Sequence, residues 1–600
     1  LPARRRRGIG TAPTVRIGPD ALMQPRIWED VPADEARVRE TAAALDVPGV
    51  IARLLCQRGL SDPAEALRFL QPELTQLHDP FLLAGMREAV DRLLGAIARA
   101  EPIAIHGDYD VDGVTSTVIL RRAIELLGGN VAHFVPDRIR DGYGLQPATV
   151  ERLGAAGARL VISVDCGIRA REAAERAQAL GVDLIITDHH EPESLLPPAL
   201  AVINPKRADC RYPDKGLAGV GVALKLVQAL LSASGRGPEL LPHFIKVAAI
   251  GTLADVVPLV GENRVIAHFG LNSLSRGPHG AGLEALLEES GLLGRVVDSF
   301  HVSFILAPRL NAAGRMGSAD LALDLLLMRG RDGDVKSKAR NLARQLSEEN
   351  TRRQEQEAAI LAEARRIIEK DPEIGAHNVL VVAGDGWHRG VIGIVASKLV
   401  ELYCKPTIVL AIENGLAHGS GRSIPVFDLL GALEGCSDVF LRFGGHRQAA
   451  GVTLEAERVG ELRRRLTAWA DARLGPEDLV PRLRIDAPLG LREISGEVIT
   501  GLLRLGPFGA SNPKPVFRTA PVDLMDAPRR LKDRHLALLF KQNGRAFRGI
   551  AWRAVEREEY LATHRHGLEL AYSLDQGEYQ GERTTELTVA DVRVPHGALV

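Results

Sequence analysis

Within seven positions of the stretch IAIHGDYDVDGVTS, residues 103–116, the chain places one histidine and three aspartates that can each bind a metal ion. Similar side chains recur in three later motifs, VDCG, DHH and TLADVVP. The full set is His106, Asp108, Asp110, Asp112, Asp165, Asp188, His189, His190 and Asp255. Carboxylates and imidazoles without a thiolate suit magnesium or manganese, and the imidazoles favour manganese. So many carboxylates exceed the need of one ion and predict two divalent ions that share a bridging carboxylate.

The segments that lead into these motifs predict how the side chains come together. EPIAIHGD, RLVISVDCG and VDLIITDHH are short runs rich in isoleucine and valine, and amphipathic helices separate them. Strands that alternate with helices predict an α/β fold with a parallel sheet. Because ligands of such sheets bind beyond the carboxyl ends of the strands, we expect the acidic and histidine side chains to meet at one edge.

Each motif has a simpler interpretation when it is taken alone. DYDVDG could be a turn or a calcium-type loop, and DHH could be a helix cap followed by one core histidine. The metal interpretation rests on the combination, because three successive predicted strand ends all carry candidate ligands.

The rest of the chain predicts four further regions around a first α/β domain at 48–330. Residues 1–47 are rich in Arg, Pro and Ala and predict a poorly ordered extension. Residues 331–370 predict a long connecting helix, because they lack Gly and Pro beyond position 333 and are polar all round in the middle. Residues 371–479 predict a second α/β domain, and residues 480–600 predict a small barrel of about five strands, in which QNG marks a hairpin turn.

Composition limits the classes of function. The formal net charge is −1, so nucleic acid would have to bind to local basic patches, such as residues 526–548 with seven Lys or Arg against two Asp. The five cysteines form no CxxC pair, which argues against a disulfide scaffold or a structural zinc and predicts a reducing, cytoplasmic location. No apolar run approaches the roughly 20 residues that span a bilayer, so we expect no membrane association.

The motifs resemble those of the DHH phosphoesterase superfamily, in the order DYDVDG, VDCG, DHH and GTLADVVPL. WHRGVIGIVASKL, GSGRS and FGGHRQAAG resemble the DHH-associated domain, and the tail resembles an OB-like barrel. APRLNAAGRMG and FGASNPKPVF narrow the resemblance to the single-strand-specific 5′→3′ exonucleases of the superfamily. The resemblance covers roughly residues 50–600.

This resemblance implies a role for each matching residue. The implied metal ligands are Asp110, Asp112, Asp165 as the bridge, His189, Asp255 and, on weaker grounds, His106. The implied catalytic residues, which orient ligands or touch the scissile phosphate, are Asp108 and His190.

The substrate-binding residues lie in three Gly-rich motifs. AHGSGRS, residues 417–423, is predicted to be a Gly-flanked turn whose N–H groups and Arg422 form an anion site. The resemblance implies that Arg309, Ser420 and Arg422 hold a 5′-terminal phosphate. It also implies that His388 and His446 touch the strand backbone, while PRLNAAGRMG adds Asn311 and Arg315. Among the scarce aromatic residues, Tyr143, Trp387 and Phe443 are the predicted base-stacking residues.

The implied function is hydrolysis of single-stranded DNA from its 5′ end by a two-metal mechanism, with release of 5′-mononucleotides, in DNA recombination and repair. The expected partners are single-stranded DNA, a helicase and a single-strand-binding protein, and the expected state is a monomer. One alternative is another DHH phosphoesterase that acts on short oligonucleotides, cyclic dinucleotides or pyrophosphate, which would not need the basic tail. A second alternative is a scaffold without metal, which the intact ligand set argues against.

Overall fold

A computed structural model describes residues 26–137, 141–142, 144–330, 332–579 and 582–595. Two compact units divide the chain: the parallel-sheet unit contains residues 60–350 and 501–514, and the barrel unit contains the remaining described residues. No helix of the described ranges combines the length and the apolar composition that crossing a membrane requires.

The chain begins with elements of the barrel unit and then enters the parallel-sheet unit. The strands and helices up to residue 200 are β1 Ile27–Asp30, α1 Glu35–Leu45, α2 Gly49–Gln57, α3 Pro63–Leu70, α4 Met86–Ala98, β2 Ile103–Gly107, α5 Val111–Leu126, β3 Val131–Phe134, α6 Pro147–Ala155, β4 Leu160–Val164, α7 Arg171–Ala179 and β5 Asp183–Thr187. The remaining elements of this unit are β6 Ala201–Ile203, α8 Gly219–Ala233, α9 Pro242–Ala254, α10 Gly261–Arg276, α11 Ala281–Glu289, α12 Ser299–His301, a π-helix Val302–Leu306, α13 Ala307–Met316 and α14 Asp320–Leu327.

The predicted connecting helix is α15, Gly333–Lys370, which is 38 residues long. The elements that follow it are α16 Pro372–Ala376, β7 Leu380–Asp385, α17 Ile392–Tyr403, β8 Thr407–Glu413, β9 Leu416–Arg422, α18 Leu429–Glu434, β10 Arg442–His446, β11 Ala449–Glu455 and α19 Val459–Asp471. The last elements are β12 Arg482–Ile485, β13 Ala487–Pro488, α20 Gly496–Leu505, β14 Phe517–Leu524, β15 Arg529–Leu531, β16 His535–Gln542, β17 Arg545–Ala551, α21 Glu558–Thr563, β18 Leu568–Tyr579 and β19 Glu582–Arg593.

The parallel-sheet unit is built on five parallel strands in the order β3-β2-β4-β5-β6. Strands β2 and β4 are buried along their whole length, which explains their continuous apolar sequences. Helices α5, α8 and α9 pack with one face of the sheet in one large core, and α6 and α7 belong to a second core with the other face. This arrangement confirms the predicted α/β class.

The barrel unit contains a mixed sheet in the order β10-β11-β9-β8-β7, in which only β7 and β8 are parallel. Its C-terminal strands β14-β18-β19-β17-β16 close into a five-strand barrel through pairing of β14 with β16. The predicted hairpin turn lies between β16 and β17, where Asn543 and Gly544 have φ of 48° and 84°. Positive φ at both positions is typical of the two-residue turn that an Asn-Gly pair favours.

The predicted disorder of residues 1–47 is wrong for the part that the structure describes, while residues 1–25 lie outside it. β1 pairs in parallel with β12, and the Trp28 indole N–H donates to Asp591 Oδ2 at 2.9 Å. Asp34 caps α1 by accepting from two backbone amides. A high content of Arg, Pro and Ala is therefore a poor indicator of disorder here, because one paired strand and one partly buried hydrogen bond order the segment.

Residues 501–514 fall within the predicted barrel region but belong to the parallel-sheet unit. The buried Arg264 guanidinium donates to the carbonyls of Leu505 and Gly506 at 2.9 and 2.7 Å and lies over the Phe69 ring at 3.7 Å. The Leu259 N–H also donates to the Ala510 carbonyl at 2.8 Å. This segment therefore completes the packing of the unit that carries the candidate ligands.

Candidate metal centre

The strand register places three aspartates at one edge of the sheet. Gly107 pairs with Val164, and Val164 pairs with Thr187, so β2, β4 and β5 end at the same level. The residues that follow these three strand ends are Asp108, Asp165 and Asp188. Asp165 has φ of 60°, a left-handed conformation that is uncommon outside glycine and that concentrates at functional sites. These three aspartates therefore lie at the carboxyl edge of the sheet, where the sequence predicts a metal site.

One imidazole lies among three carboxylates. His189 Nε2 is 3.2 Å from Asp165 Oδ1, 3.7 Å from Asp255 Oδ2 and 3.9 Å from Asp112 Oδ2. Asp112, Asp165 and His189 are all buried. Side chains from two strand ends and two helices therefore meet at one point, as the sequence predicts.

Among the described residues, three groups of His and Asp side chains have ligand atoms within 4.8 Å of one another. They are Asp112 with His189 and Asp255, Asp108 with Asp110 and Asp165, and Asp165 with His189 and His190. Asp165 belongs to two of these groups, so its carboxylate is the one placed to be shared between two ions.

Unpartnered atoms provide a test of whether a cation fits. Asp165 Oδ1 and His189 Nε2 are both buried, and neither has a hydrogen-bond partner in the part of the chain that the structure describes, although they lie 3.2 Å apart. Neighbouring ligands of one octahedral ion lie about 3 Å apart when each is 2.0–2.2 Å from the metal. A buried polar atom without a partner is costly, and a bound cation would satisfy both. The residues therefore fit a divalent metal.

The charges of the candidate ligands also favour a bound cation. Burial, with Asp255 and Asp110 nearby, raises the pKa of Asp112 well above its usual range, and burial with Asp112 does the same to the pKa of Asp165. Burial and Asp110 raise the pKa of Asp255 to about 7. Burial lowers the pKa of His189 to about 4, so its imidazole is neutral and keeps a lone pair for a metal. Carboxylates that repel one another in this way gain most from a bound cation.

Backbone amides hold the Asp112 carboxylate in place. Its Oδ2 accepts from the Gly219 N–H at 2.8 Å, and its Oδ1 accepts from the Val220 N–H at 2.7 Å, both in the first turn of α8. A Cβ on Gly219 would lie 2.4 Å from Asp165 Oδ1. Gly219 is therefore required for the close approach of α8 to two candidate ligands.

The strand-end residue Asp188 shapes the DHH turn instead of joining a ligand group. Its carboxylate accepts from the N–H groups of His189 and Ile168 at 2.7 and 2.9 Å. His190 Nδ1 lies 2.7 Å from Asp188 Oδ1, an arrangement in which the ring donates from Nδ1 and turns Nε2 the other way. Asp188 thus orients His190, as carboxylates beside metal-site histidines do.

His106 is the predicted ligand that the structure leaves outside all three groups. Its ring is fully buried, stacks on Phe134 with centroids 5.7 Å apart, and has a pKa lowered to about 4 by burial. A ligand role for His106 therefore stays a prediction.

Helix α13 contacts the loop that carries the first ligands. Asn311 Oδ1 accepts from the Val111 N–H at 3.2 Å, and a Cβ on Gly314 would lie 2.5 Å from the Tyr109 carbonyl oxygen. Arg309 donates to the Ile305 carbonyl at 2.7 Å, and Arg315 lies in the last turn. The predicted substrate-binding residues of this motif therefore sit on a helix packed against the ligand loop.

The remaining predicted substrate-binding residues belong to the barrel unit. Arg422 Nη1 donates to Ser420 Oγ at 3.0 Å, and a Cβ on Gly393 of α17 would lie 2.9 Å from that oxygen. His388 precedes α17, and its Nδ1 accepts from the Gly390 N–H at 3.1 Å. His446 is exposed at the end of edge strand β10.

The predicted turn at 417–423 is wrong, because this sequence forms most of strand β9. A Cβ on Gly419 would lie 2.5 Å from the Val452 side chain, and one on Gly421 would lie 2.7 Å from the Leu429 side chain. These glycines permit close packing within a sheet, which a sequence pattern alone does not separate from a turn.

The predicted base-stacking residues differ from the exposed aromatic residues. Trp387 is buried and donates its indole N–H to Glu363 at 2.9 Å, and Phe443 lies against Phe440, with ring centroids 5.3 Å apart. Tyr143 lies outside the described residues. Within the described ranges, the aromatic side chains that are more than half exposed are Phe300, Phe304 and Trp552. No sequence signal separated these three from core residues, because their exposure depends on tertiary packing.

Three family models match the chain, and they agree with this architecture. The DHH family, N-terminal domain, matches residues 102–252, the DHHA1 domain matches 376–472, and the RecJ OB domain matches 485–591. The parallel sheet and its acidic edge therefore define a domain of the DHH family.

Individual relatives extend the match over most of the chain. The single-stranded-DNA-specific exonuclease RecJ of Salmonella typhimurium is 34% identical over 91% of this chain and 96% of its own length. The Bacillus subtilis protein of the same name is 42% identical over 81% of this chain, which spans only 61% of that protein. The crystal structure of RecJ from Thermus thermophilus in complex with Mn²⁺ superposes with a TM-score of 0.79, at 33% identity, over 95% of this chain and 80% of that one. The chain belongs to the RecJ family.

Proposed function

We propose that this chain is a metal-dependent exonuclease that hydrolyses single-stranded DNA from the 5′ end and releases 5′-mononucleotides during DNA recombination and repair. The observation that carries the proposal is the sharing of Asp165 between two ligand groups at the sheet edge. Membership of a family whose curated relatives are named single-stranded-DNA-specific exonucleases supports the substrate class.

Two divalent ions, manganese or magnesium, are the proposed cofactors. Asp112, His189 and Asp255 would hold one ion, Asp108 and Asp110 would contact the other, and Asp165 would bridge them. One relative, RecJ from Thermus thermophilus, has been crystallised with each metal, which supports this choice. When bound, such ions lower the pKa of water and stabilise negative charge on phosphoryl oxygens.

The protein side chains would fix the positions of the ligands and the substrate. The N–H groups of Gly219 and Val220 hold Asp112, and Asp188 orients His190. We assign to Asp108 and His190 the tasks of orienting ligands and contacting the scissile phosphate, because both belong to ligand groups around Asp165. No serine, threonine or cysteine nucleophile is needed when water attacks.

Ser420 and Arg422 are the proposed core of a site for the 5′-terminal phosphate. Their side chains are joined by a hydrogen bond, and Gly393 of α17 permits close approach to both. A cationic guanidinium and a hydroxyl beside the start of a helix suit a phosphate group. Arg309, Asn311 and Arg315 would add contacts near the metal centre, while His388 and His446 would contact the strand backbone.

The barrel is the proposed binding site for the strand beyond the metal centre. Exposed basic residues lie in the turn before β16 and directly before that turn, and Trp552 is 57% exposed beside His535, with ring centroids 4.8 Å apart. Basic residues that contact phosphates and an aromatic ring that stacks on a base are the usual features of single-strand binding by such barrels.

The domain organisation, partners and location complete the proposal. The proposed division is a phosphoesterase domain at 48–330, a DHH-associated domain at 371–479 and an OB-like domain at 480–600, with residues 501–514 packed on the first unit. We propose a cytoplasmic monomer that receives single strands from a helicase and a single-strand-binding protein, in keeping with the reduced cysteines.

One assay tests the activity against its main alternative. The protein is incubated with Mn²⁺ and, separately, a long 5′-phosphorylated single strand, its duplex and pyrophosphate. We expect the single strand alone to be shortened from its 5′ end to mononucleotides. Hydrolysis of pyrophosphate without shortening of the strand would support the other class of DHH phosphoesterase and contradict the proposal.

A further inference from the structure

Two phenylalanine rings of the parallel-sheet unit are stacked on each other in solvent. Phe300 and Phe304 have ring centroids 5.0 Å apart and an interplanar angle of 29°. Their relative exposures are 58% and 68%, in a chain with only 4% aromatic residues. Single exposed apolar residues are ordinary, whereas exposed apolar side chains that adjoin one another are a feature of binding surfaces.

Phe304 belongs to a π-helix, Val302–Leu306, between α12 and α13, and Phe300 lies in α12 directly before it. Val302 and Leu306 are fully buried, while Phe304 points outward from the same short segment. π-helical turns are rare and are found frequently at functional sites, because the extra residue changes which side chains face outward.

Hydrogen bonds at both ends tie this segment to the rest of the unit. The Ser303 hydroxyl donates to the Leu253 carbonyl at 3.0 Å, two residues before the candidate ligand Asp255. The Ser299 hydroxyl donates to the Phe508 carbonyl at 2.7 Å. The aromatic pair therefore stands on backbone that is anchored beside a ligand.

The same helical segment leads directly to the ligand loop. Asn311, which accepts from the Val111 N–H, follows Phe304 by seven residues, or about 10 Å at 1.5 Å per residue. Val256, directly after Asp255, is also 68% exposed and has φ of 62°, a strained conformation for a β-branched residue. Phe304 therefore lies on the same continuous helical segment as Asn311, which contacts the loop that carries the first candidate ligands.

We propose that Phe300 and Phe304 form a stacking platform for one or two bases of the DNA strand that enters the metal centre. This inference rests on the proposed function and adds the residues that recognise an unpaired base. Every base has an aromatic face, so the platform accepts any sequence. The bases of a duplex are already stacked on their neighbours and do not offer a free face, so the platform also favours single strands.

The test combines substitutions with abasic substrates. We compare Phe304→Ala, Phe300→Ala and the double variant with the wild type on 5′-phosphorylated oligothymidine, measuring strand binding by fluorescence anisotropy and cleavage by initial rates. Removing one stacked base interaction weakens binding roughly tenfold. A series of strands with one abasic position each should show a loss of similar size at one or two positions in the wild type and no further loss there in the double variant.

Two controls separate stacking from other roles. Phe304→Trp keeps an aromatic face and should retain binding, whereas Phe304→Leu keeps an apolar surface and should lose it. Tyr560→Ala, which removes a partly exposed aromatic ring of the barrel unit, should not change the abasic profile. Full binding by Phe304→Leu, or the same abasic profile in the wild type and the double variant, would overturn the platform.

The binding measurement also separates this inference from the proposed function. If the wild type binds strands but cleaves none, the proposed exonuclease activity fails, and the abasic profile still decides whether the rings stack on bases. If the wild type cleaves single strands and the substitutions leave both the binding and the abasic profile unchanged, the platform alone is contradicted.

Discussion

The metal centre of the parallel-sheet unit and the strand-binding surface of the barrel unit solve different physical problems. In the metal centre, Asp112 and Asp165 are 2% exposed, and backbone amides fix the Asp112 carboxylate. On the barrel, Trp552 is 57% exposed, and the basic side chains around it reach into solvent. Chemistry on a phosphodiester needs fixed geometry, whereas binding a flexible strand needs charge and an aromatic face.

This difference predicts how substitutions behave in the two regions. Loss of a buried ligand removes a whole coordination site, so activity should fall in one large step. Loss of one exposed side chain on the barrel removes one of several similar contacts to phosphates or bases, so the affinity for the strand should fall in small, graded steps.

The largest effect is expected for Asp165→Asn, which keeps the shape of the side chain but removes the charge that two ions would share. We expect hydrolysis to fall more than about a thousandfold, because metal stabilisation of the transition state contributes several kcal/mol. The measurement is the initial rate on a single strand with Mn²⁺ supplied. Asp209→Asn, which changes an exposed carboxylate of the same unit paired with Arg207, is the matched control and should keep full activity. A rate near that of the control would show that the shared carboxylate is dispensable.

A smaller loss is expected for Gly219→Ala, whose new Cβ would lie 2.4 Å from Asp165 Oδ1. The carboxylate must move, and displacing the surroundings of a metal ligand lowers metal affinity roughly 10- to 100-fold. The measurement is the Mn²⁺ concentration that gives half-maximal rate. Gly221→Ala changes a glycine in the same turn of α8 where the added Cβ meets only the flexible Leu217 side chain at 3.2 Å. Equal behaviour of the two variants would mean that α8 does not position the ligand.

Arg422→Ala should act on substrate selection more than on chemistry. A hydrogen bond to a charged group contributes about 1.5–3 kcal/mol, so the advantage of 5′-phosphorylated over 5′-hydroxyl strands should shrink roughly 10- to 100-fold. Arg465→Ala, which removes an exposed arginine paired with Asp438 in the same unit, should leave the advantage unchanged. If Arg422→Ala slows both kinds of strand equally, the residue has a structural role.

The smallest effects are expected on the barrel. Lys532→Ala with Arg534→Ala removes two exposed cations and should reduce the slope of log affinity against log salt by about 1.4, at about 0.7 per phosphate contact on a single strand. Trp552→Ala should weaken binding of long strands severalfold without changing that slope, because stacking releases no counterions. A change of slope in the tryptophan variant, or none in the double variant, would contradict the assigned roles.

Features that lie close to strongly patterned strands and helices could be predicted from the sequence. The sheet, the barrel and the grouping of Asp112, Asp165, His189 and Asp255 were predictable, because each ligand lies within two residues of the start or the end of a strongly patterned strand or helix. Burial and parallel pairing then bring these residues together with few alternatives. His106 lies within such a strand and stacks on the half-buried Phe134 ring, so its place in the pattern did not determine its contacts.

Features that depend on distant contacts were not predictable. β1 is ordered by β12, more than 450 residues later in the chain, and residues 501–514 are held by Arg264. AHGSGRS forms a strand because it pairs with β8 on one side and β11 on the other. Its glycines leave room for the side chains of Val452 and Leu429. The exposed rings of Phe300, Phe304 and Trp552 have no local signal, since an aromatic residue in a helix or strand is equally compatible with the core.

Electron paramagnetic resonance of the manganese-loaded protein can show whether two metal ions share Asp165. Two Mn²⁺ ions about 3.5–4 Å apart are expected in such a site, and they give the spectrum of a coupled pair. We predict that coupled spectrum, with two ions per chain, for the wild type and only an isolated ion or none for Asp165→Asn. An isolated-ion spectrum in the wild type at saturating manganese, or an unchanged coupled spectrum in the variant, would contradict the account.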